Sequence, residues 1–331
     1  MKFSVGYQML WDDALTKKIV EYRDSISEMY FSFGDFPNGR SSQLARGDMS
    51  GEAAMKKQLS DLEAVASAGV SLNLLFNATC YGKNSQSREF FASVGDTADM
   101  IKSEFGLASV TTTSPLIAKF IKQNFEGVEV RASVNMEIGS ELGIEYISEY
   151  FDGFYLKREL NRDLDRVKKI KEYCDRHGKK LYALANSGCL NFCSAHIFHD
   201  NLVSHESEIA KMDNGYAFSG ACYEFLAKEE NRKRMLEVTS FIRPEDTHLY
   251  EGLVESLKLA TRVNQNPIRV LDAYIGRSAY RGSTLDLCEP NHTGVMLPYL
   301  LENSYIRSRV EDGRLIYENI ENSLIRLEDL C

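Results

Sequence analysis

Two thiols and two imidazoles fall within eleven residues of one segment, Asn186-Ser187-Gly188-Cys189-Leu190-Asn191-Phe192-Cys193, which runs on through His196 and His199 to Asp200. The thiolate is both the metal-ligating and the nucleophilic form of cysteine, so such a segment can hold a metal or attack a substrate. Cys189 and Cys193 are one helical turn apart, which puts both sulfurs on one side if the segment is helical there. An all-cysteine zinc site or an iron–sulfur cluster needs four thiolates. Cys222, in the small-residue stretch Gly220-Ala221-Cys222, and Cys80 are the expected third and fourth ligands. Cys288 is the substitute if the Cys80 loop cannot reach.

The imidazoles open other routes. Cys189 and Cys193 with two of His196, His199 and His205 would make a mixed zinc site. His199 with Asp200, and Glu206 nearby, could serve as general base and acid in a cleft that tunes them. Cys189 beside a protonated His199 could act as an attacking thiolate. Ser187 and Ser194 lack a nucleophile-elbow context. Cys174 sits on the apolar stripe of a helix and reads as core, and Cys331 is terminal.

The elements that must position these groups alternate. Strands are expected at Lys2–Met9, Glu28–Phe33, Val70–Asn77, Ala108–Thr113, Val128–Asn135, Gly153–Lys157, Lys180–Asn186 and Ser256–Ala260. Amphipathic helices lie between them, one opened by Ser114-Pro115 as N-cap and first helical residue, and a short one over Pro267–Ile275 follows Asn266. Phe241–Pro244 is a further return of the rhythm after an irregular stretch at 196–240. The expected fold is α/β: a single TIM-type (β/α) barrel over 1–275, an insertion after the seventh strand carrying the cysteine loop at 186–222, and a C-terminal extension over 276–331. No Gly-x-Gly-x-x-Gly turn follows the first strand, which argues against a dinucleotide-binding sheet.

In such barrels the active site lies at the C-terminal ends of the strands. That rule selects Asn77, Asn135 and Asn186, which end the third, fifth and seventh strands, and Lys157, Lys258, Arg243 and Arg262 at or near other ends. Several cations at one mouth suit an anionic substrate, carboxylate or phosphate, and Lys258 joins His199 and Asp200 as an expected catalytic group.

The chain has 331 residues, is 44% hydrophobic and 26% charged, and carries a formal charge of −9. The acidic balance argues against a broad nucleic-acid-binding face. The N-terminus runs straight into a strand pattern without a signal peptide, and no apolar run approaches a membrane span. A cytoplasmic location is expected, where clustered thiols favour metal or catalytic roles over disulfides.

The segment Asn186–Cys193 with its following histidines resembles the cysteine segment of the collagenase-like peptidases (peptidase U, family thirty-two). Arg243-Pro244-Glu245-Asp246, followed by Ser256-Leu257-Lys258-Leu259-Ala260-Thr261-Arg262, resembles that family's later segment, and the likeness spans roughly residues 1–275. The resemblance implies a TIM-type barrel and four cysteines holding a [4Fe–4S] cluster, as in members that assist oxygen-independent hydroxylation of ubiquinone precursors or of RNA bases. Cys189, Cys193 and Cys222 match the family's cysteine region. The early loop where some relatives carry a cysteine reads Asp35-Phe36-Pro37-Asn38 here, and Cys80 takes its place. The alternatives are a cysteine- or zinc-dependent peptidase and a non-catalytic partner of a related subunit.

Overall fold

The computed structural model describes residues 1–39, 50–276 and 278–330; Arg40, at the end of the turn-rich stretch, and Cys331 lie outside them. Eight parallel strands close into a barrel in chain order: β1 (Phe3–Gly6), β2 (Ile26–Phe31), β3 (Ser71–Phe76), β4 (Leu107–Thr112), β5 (Glu129–Ala132), β6 (Gly153–Tyr155), β7 (Lys180–Leu184) and β8 (Leu257–Leu259). Closure is made by β8, which pairs with β7 on one side and β1 on the other. The expected barrel is therefore the observed fold.

Helices α1 (Ala14–Glu21), α2 (Gly51–Ser67), α3 (Arg88–Phe105), α4 (Pro115–Asn124), α5 (Glu141–Glu145) and α6 (Leu164–Arg176) alternate with the first seven strands. Their starts follow local chemistry. The hydroxyls of Ser50, Ser87 and Ser114 each accept a hydrogen bond from a first-turn amide, satisfying donors that have no partner within the helix. Each helix lays an apolar stripe, such as Val167, Ile170 and Cys174 of α6, against the outer faces of the strands. Phe241–Pro244 is not a strand: Ile242 N donates to Ala185 O, and a 3-10 helix over Pro244–Tyr250 begins at once.

The inner face of the barrel is polar. Glu28 on β2 accepts hydrogen bonds from Ser4 on β1 (2.9 Å), Asn73 on β3 (3.0 Å) and Ser109 on β4 (3.4 Å). Arg131 Nη1 on β5 reaches both Glu28 carboxylate oxygens, at 2.7 and 2.6 Å, and the guanidinium lies 4.3 Å from the ring centre of Tyr182 on β7. A buried ion pair is tolerated only when its remaining donors and acceptors are also met, as these are.

The residues after β8 wrap back over the barrel. Leu164 N and Leu315 N exchange backbone bonds with Gly313 O and Arg162 O. Glu289 N donates to Asn186 O, and Gly188 N to Glu289 O, which extends β7 into the insertion. Among the described residues, no helix is long and apolar enough to cross a membrane.

Candidate functional site

Two cavities adjoin at the C-terminal ends of the strands. The first, of ≈ 50 Å³, is the barrel mouth. Its polar walls are Asn77, Asn135, Arg158, Lys258, Arg262 and Glu289. Gly39 closes over it so tightly that a Cβ there would come within 2.9 Å of the amide nitrogens of both Asn77 and Asn135. Asn135 Nδ2 donates to Asn77 O at 3.2 Å, which ties the ends of β3 and β5 together.

Lys258 stands at the floor of this mouth, buried, with Nζ 3.9 Å from the ring centre of Tyr30 and 5.1 Å from that of Tyr155. Desolvation and the neighbouring Arg262 push its pKa down to about 7, while Glu28 pulls the other way.

The second cavity, of ≈ 220 Å³, is lined by Cys189, Cys193 and Cys222 together with His196, His199, Asp200 and Phe218. Val263 and Glu289 line both cavities, so the cysteine cavity and the mouth share a wall. Helix α7 (His196–Ser204) supplies the histidines and Asp200. The other side of the cysteine loop is backed by residues 288–292. A Cβ at Gly188 would stand 2.3 Å from Pro290 O and 3.2 Å from the Cys288 Cβ, so only glycine permits this approach. His292 Nε2 donates to Gly188 O at 2.8 Å.

Burial raises the Cys222 thiol to about 11, and the nearby Cys189 and Cys193 add to the rise. Burial pushes the Cys288 thiol still higher, with Glu289, Asp286 and Cys189 contributing. Thiols that oppose one another's ionisation in this way form a donor set that a soft cation would relieve. Among the described residues no three His, Cys, Asp or Glu side chains converge in an arrangement that holds a metal ion. The chemistry of the donors nevertheless fits a soft metal group: three thiols face one cavity, and a fourth, Cys288, abuts the loop that carries the first.

A polar chain crosses from one cavity to the other. Arg158 Nη2 donates to Asn135 Oδ1 at 2.8 Å, and Nη1 donates to Glu137 Oε1 at 2.9 Å and lies 3.0 Å from His196 Nε2. Asp200 Oδ2 is 3.2 Å from the same His196 nitrogen, and His196 Nδ1 lies 3.7 Å from Glu137 Oε1. Glu137 is held with φ at +54°, an uncommon conformation for a residue with a side chain, and burial raises its pKa against the pull of Arg158.

The strand-end rule brings Asn77, Asn135, Lys258 and Arg262 together at the mouth. Asn186 lies nearby in a structural role: its side chain accepts from Ala260 N and donates to Ala260 O and Leu287 O, bracing β7 to β8 and the extension. Lys157 is outside both cavities, with Nζ 5.5 Å from the ring centre of Phe192. Arg243 points away from the mouth, its guanidinium taken up by Asn303 and Ser308. His199 and Asp200 line the cysteine cavity rather than the mouth that holds Lys258.

Cys80 lies apart from the other expected ligands. It hydrogen-bonds His205 and accepts from Gly82 N at 3.5 Å. Cys193 precedes α7 and His205 follows it, so about 13 Å of helix separates the two neighbourhoods. The His205 partnership lowers the Cys80 pKa, and Cys80 and Glu208 raise that of His205. Arg158 and His292 had no distinguishing signal in the sequence. Arg158 follows β6 by three residues, and position relative to a strand end was the cue available.

No protein-family model matches the chain. It is 27% identical over 270 residues to the uncharacterized protease MJ1657 of Methanocaldococcus jannaschii, an alignment covering 79% of this chain and 75% of that protein. Among solved structures it is similar to the U32 peptidase Mk0906, with a TM-score of 0.55 and 13% identity, over 78% of this chain and 91% of that one. At that identity the structural likeness speaks for the barrel, and the sequence likeness to the archaeal protein is independent of it.

Proposed function

We propose that this chain is an iron–sulfur protein of the collagenase-like, or U32, peptidase family that takes part in an oxygen-independent hydroxylation or a related redox modification. The observation that carries this reading is the wall shared by the cavity of Cys189, Cys193 and Cys222 and the basic barrel mouth. The archaeal relative, the barrel and the resemblance of the two sequence segments support the family.

Cys189, Cys193 and Cys222 would hold the cluster, with Cys288 in place of Cys80 as fourth ligand after rotation of its thiol away from Thr284 O. A [4Fe–4S] cluster in this place supplies electron transfer. The chain's own residues do the rest: Arg158, Arg262 and Lys258 attract an anionic substrate, and Asn77 and Asn135 orient it against the shared wall. Anaerobic purification followed by iron and sulfide analysis tests the reading. Bound iron with equivalent sulfide is expected; a colourless chain that takes up no iron on reconstitution overturns it.

The second reading is a thiol- or zinc-dependent peptidase. His199 lines the same cavity as three thiols, and the archaeal relative carries the name of a protease. It predicts peptide hydrolysis by iron-free protein, abolished by thiol alkylation.

A further inference from the structure

Among the described residues, Lys258 is the group at the mouth whose surroundings suit covalent chemistry. Among the described residues its Nζ makes no hydrogen bond, and its contacts are the faces of Tyr30 and Tyr155. Glu28, the carboxylate on the neighbouring interior layer, is already occupied by Arg131, Ser4 and Asn73. A buried ammonium without a carboxylate is costly, and the lysine responds by favouring its neutral form. A neutral amine is a nucleophile toward carbonyl carbon.

The space above it sets the size of a partner. A water needs roughly 10–15 Å³ of such volume, so the ≈ 50 Å³ of the mouth holds about four waters, or a molecule of about five heavy atoms. Arg158, which lines the mouth, also has a buried Nε with no hydrogen-bond partner. A guanidinium edge of this kind suits a carboxylate.

We propose that Lys258 forms an imine with a small 2-oxo acid, of the size of glyoxylate or pyruvate, whose carboxylate is received by Arg158. The Nζ lone pair attacks the carbonyl carbon to give a carbinolamine. The carbon–oxygen bond then breaks, and the oxygen leaves as water with both amine hydrogens. The C=N bond that remains is at the same oxidation level as the starting pair, so no oxidant or reductant is consumed. The inference concerns the mouth alone and stands whether or not the cysteine cavity holds a cluster.

The test is reductive trapping on the full chain. The protein is incubated near neutral pH with glyoxylate and cyanoborohydride, and in parallel with propanal, an aldehyde without charge, and lysine modification is mapped by peptide mass spectrometry. Carboxymethylation of Lys258 at least about tenfold faster than the average of the other lysines is expected, with propanal trapping showing a much smaller preference. Arg158→Gln lowers the glyoxylate rate at Lys258 by about tenfold more than it lowers the propanal rate, the difference being the loss of one charge-assisted hydrogen bond; an equal fall in both rates overturns the assignment of the carboxylate to Arg158. If that variant does not fold, the comparison of the two aldehydes on the unaltered protein still decides. Unmodified Lys258, or modification at the average rate, overturns the proposal; equal selectivity for propanal overturns the choice of an acid.

Discussion

Arg158 Nη1 lies 3.0 Å from His196 Nε2, and this contact carries the polar chain from the barrel mouth to the cysteine cavity. The two residues come from different structural layers: Arg158 follows β6, and His196 opens α7 in the insertion. Removing the guanidinium takes from the Glu137 carboxylate its ion pair and from Asn135 Oδ1 its donor, and breaks the contact with His196. Arg158→Ala is expected to destabilise the chain by about 2–3 kcal/mol, and His196→Ala by about 1 kcal/mol, as measured by urea denaturation. An Arg158→Ala cost below that of His196→Ala would mean that the bonds to Glu137 and Asn135 contribute nothing.

Thiol reactivity should separate the cysteines. Cys80 is partly exposed and its pKa is lowered by His205, so iodoacetamide is expected to modify it first near neutral pH. Cys174 and Cys288, buried with raised pKa values, should resist until the protein unfolds. After anaerobic reconstitution with iron and sulfide, Cys80 should remain reactive while Cys222 becomes protected. Protection of Cys80 in the reconstituted protein would return it to the ligand set.

Cys288→Ser and Cys80→Ser should then differ in iron content. The first is expected to lose most of the reconstituted iron and the second to retain it, provided both give the circular dichroism of the unaltered chain. Equal retention would exclude Cys288 as the fourth ligand.

Acid should act on Glu129. Burial opposes its charge, but Arg131, Lys180 and Tyr182 outweigh this and hold its pKa at about 2, below the ordinary value of 4.5. A carboxylate with a depressed folded-state pKa contributes stability that is present above the unfolded value and lost as pH falls through the folded one. Stability should therefore decline between about pH 4.5 and 2 by up to about 3 kcal/mol from this group. Glu129→Gln should flatten that part of the profile, and an unchanged slope in the variant would refute the assignment.

Lys258 should act in the opposite direction. Its folded pKa is about 7 against an ordinary 10.5, so the unfolded chain binds its proton more tightly across that interval. The cost of burying the charge is full below pH 7 and is relieved as pH rises toward 10.5. Lys258→Met is expected to stabilise the protein by a few kcal/mol at pH 6 and by much less at pH 10, read as the shift in denaturation midpoint. A stabilisation that does not change with pH would place the effect in packing.

The barrel could be read from the chain because local signals agreed: strand-like runs at regular spacing, serine caps and short connections. The asparagines at the mouth could be read for the same reason, since Asn77 and Asn135 follow strands whose ends are clear. The interior network could not. Glu28 and Tyr30 on β2, like Glu129 and Arg131 on β5, alternate with apolar residues, and such alternation ordinarily marks a solvent-facing side. Only closure of the sheet turns that side inward. Asn186 and Arg243 occupy expected positions, but their side chains are consumed by Ala260 and Leu287, and by Asn303 and Ser308, contacts made across long stretches of chain. Cys80 echoed Cys189 in its spacing from a strand-ending asparagine, yet β3 and β7 lie on opposite sides of the closed barrel.

The backing of the cysteine loop by residues 288–292 has a consequence for the order of events in the cell. Gly188 meets Pro290 and His292 about a hundred residues further along the chain. During synthesis, the loop with Cys189 and Cys193 emerges long before that wall exists. Whatever the cavity receives can therefore be enclosed only once residues 288–292 have been made and have folded back on the loop, about a hundred residues after the loop itself.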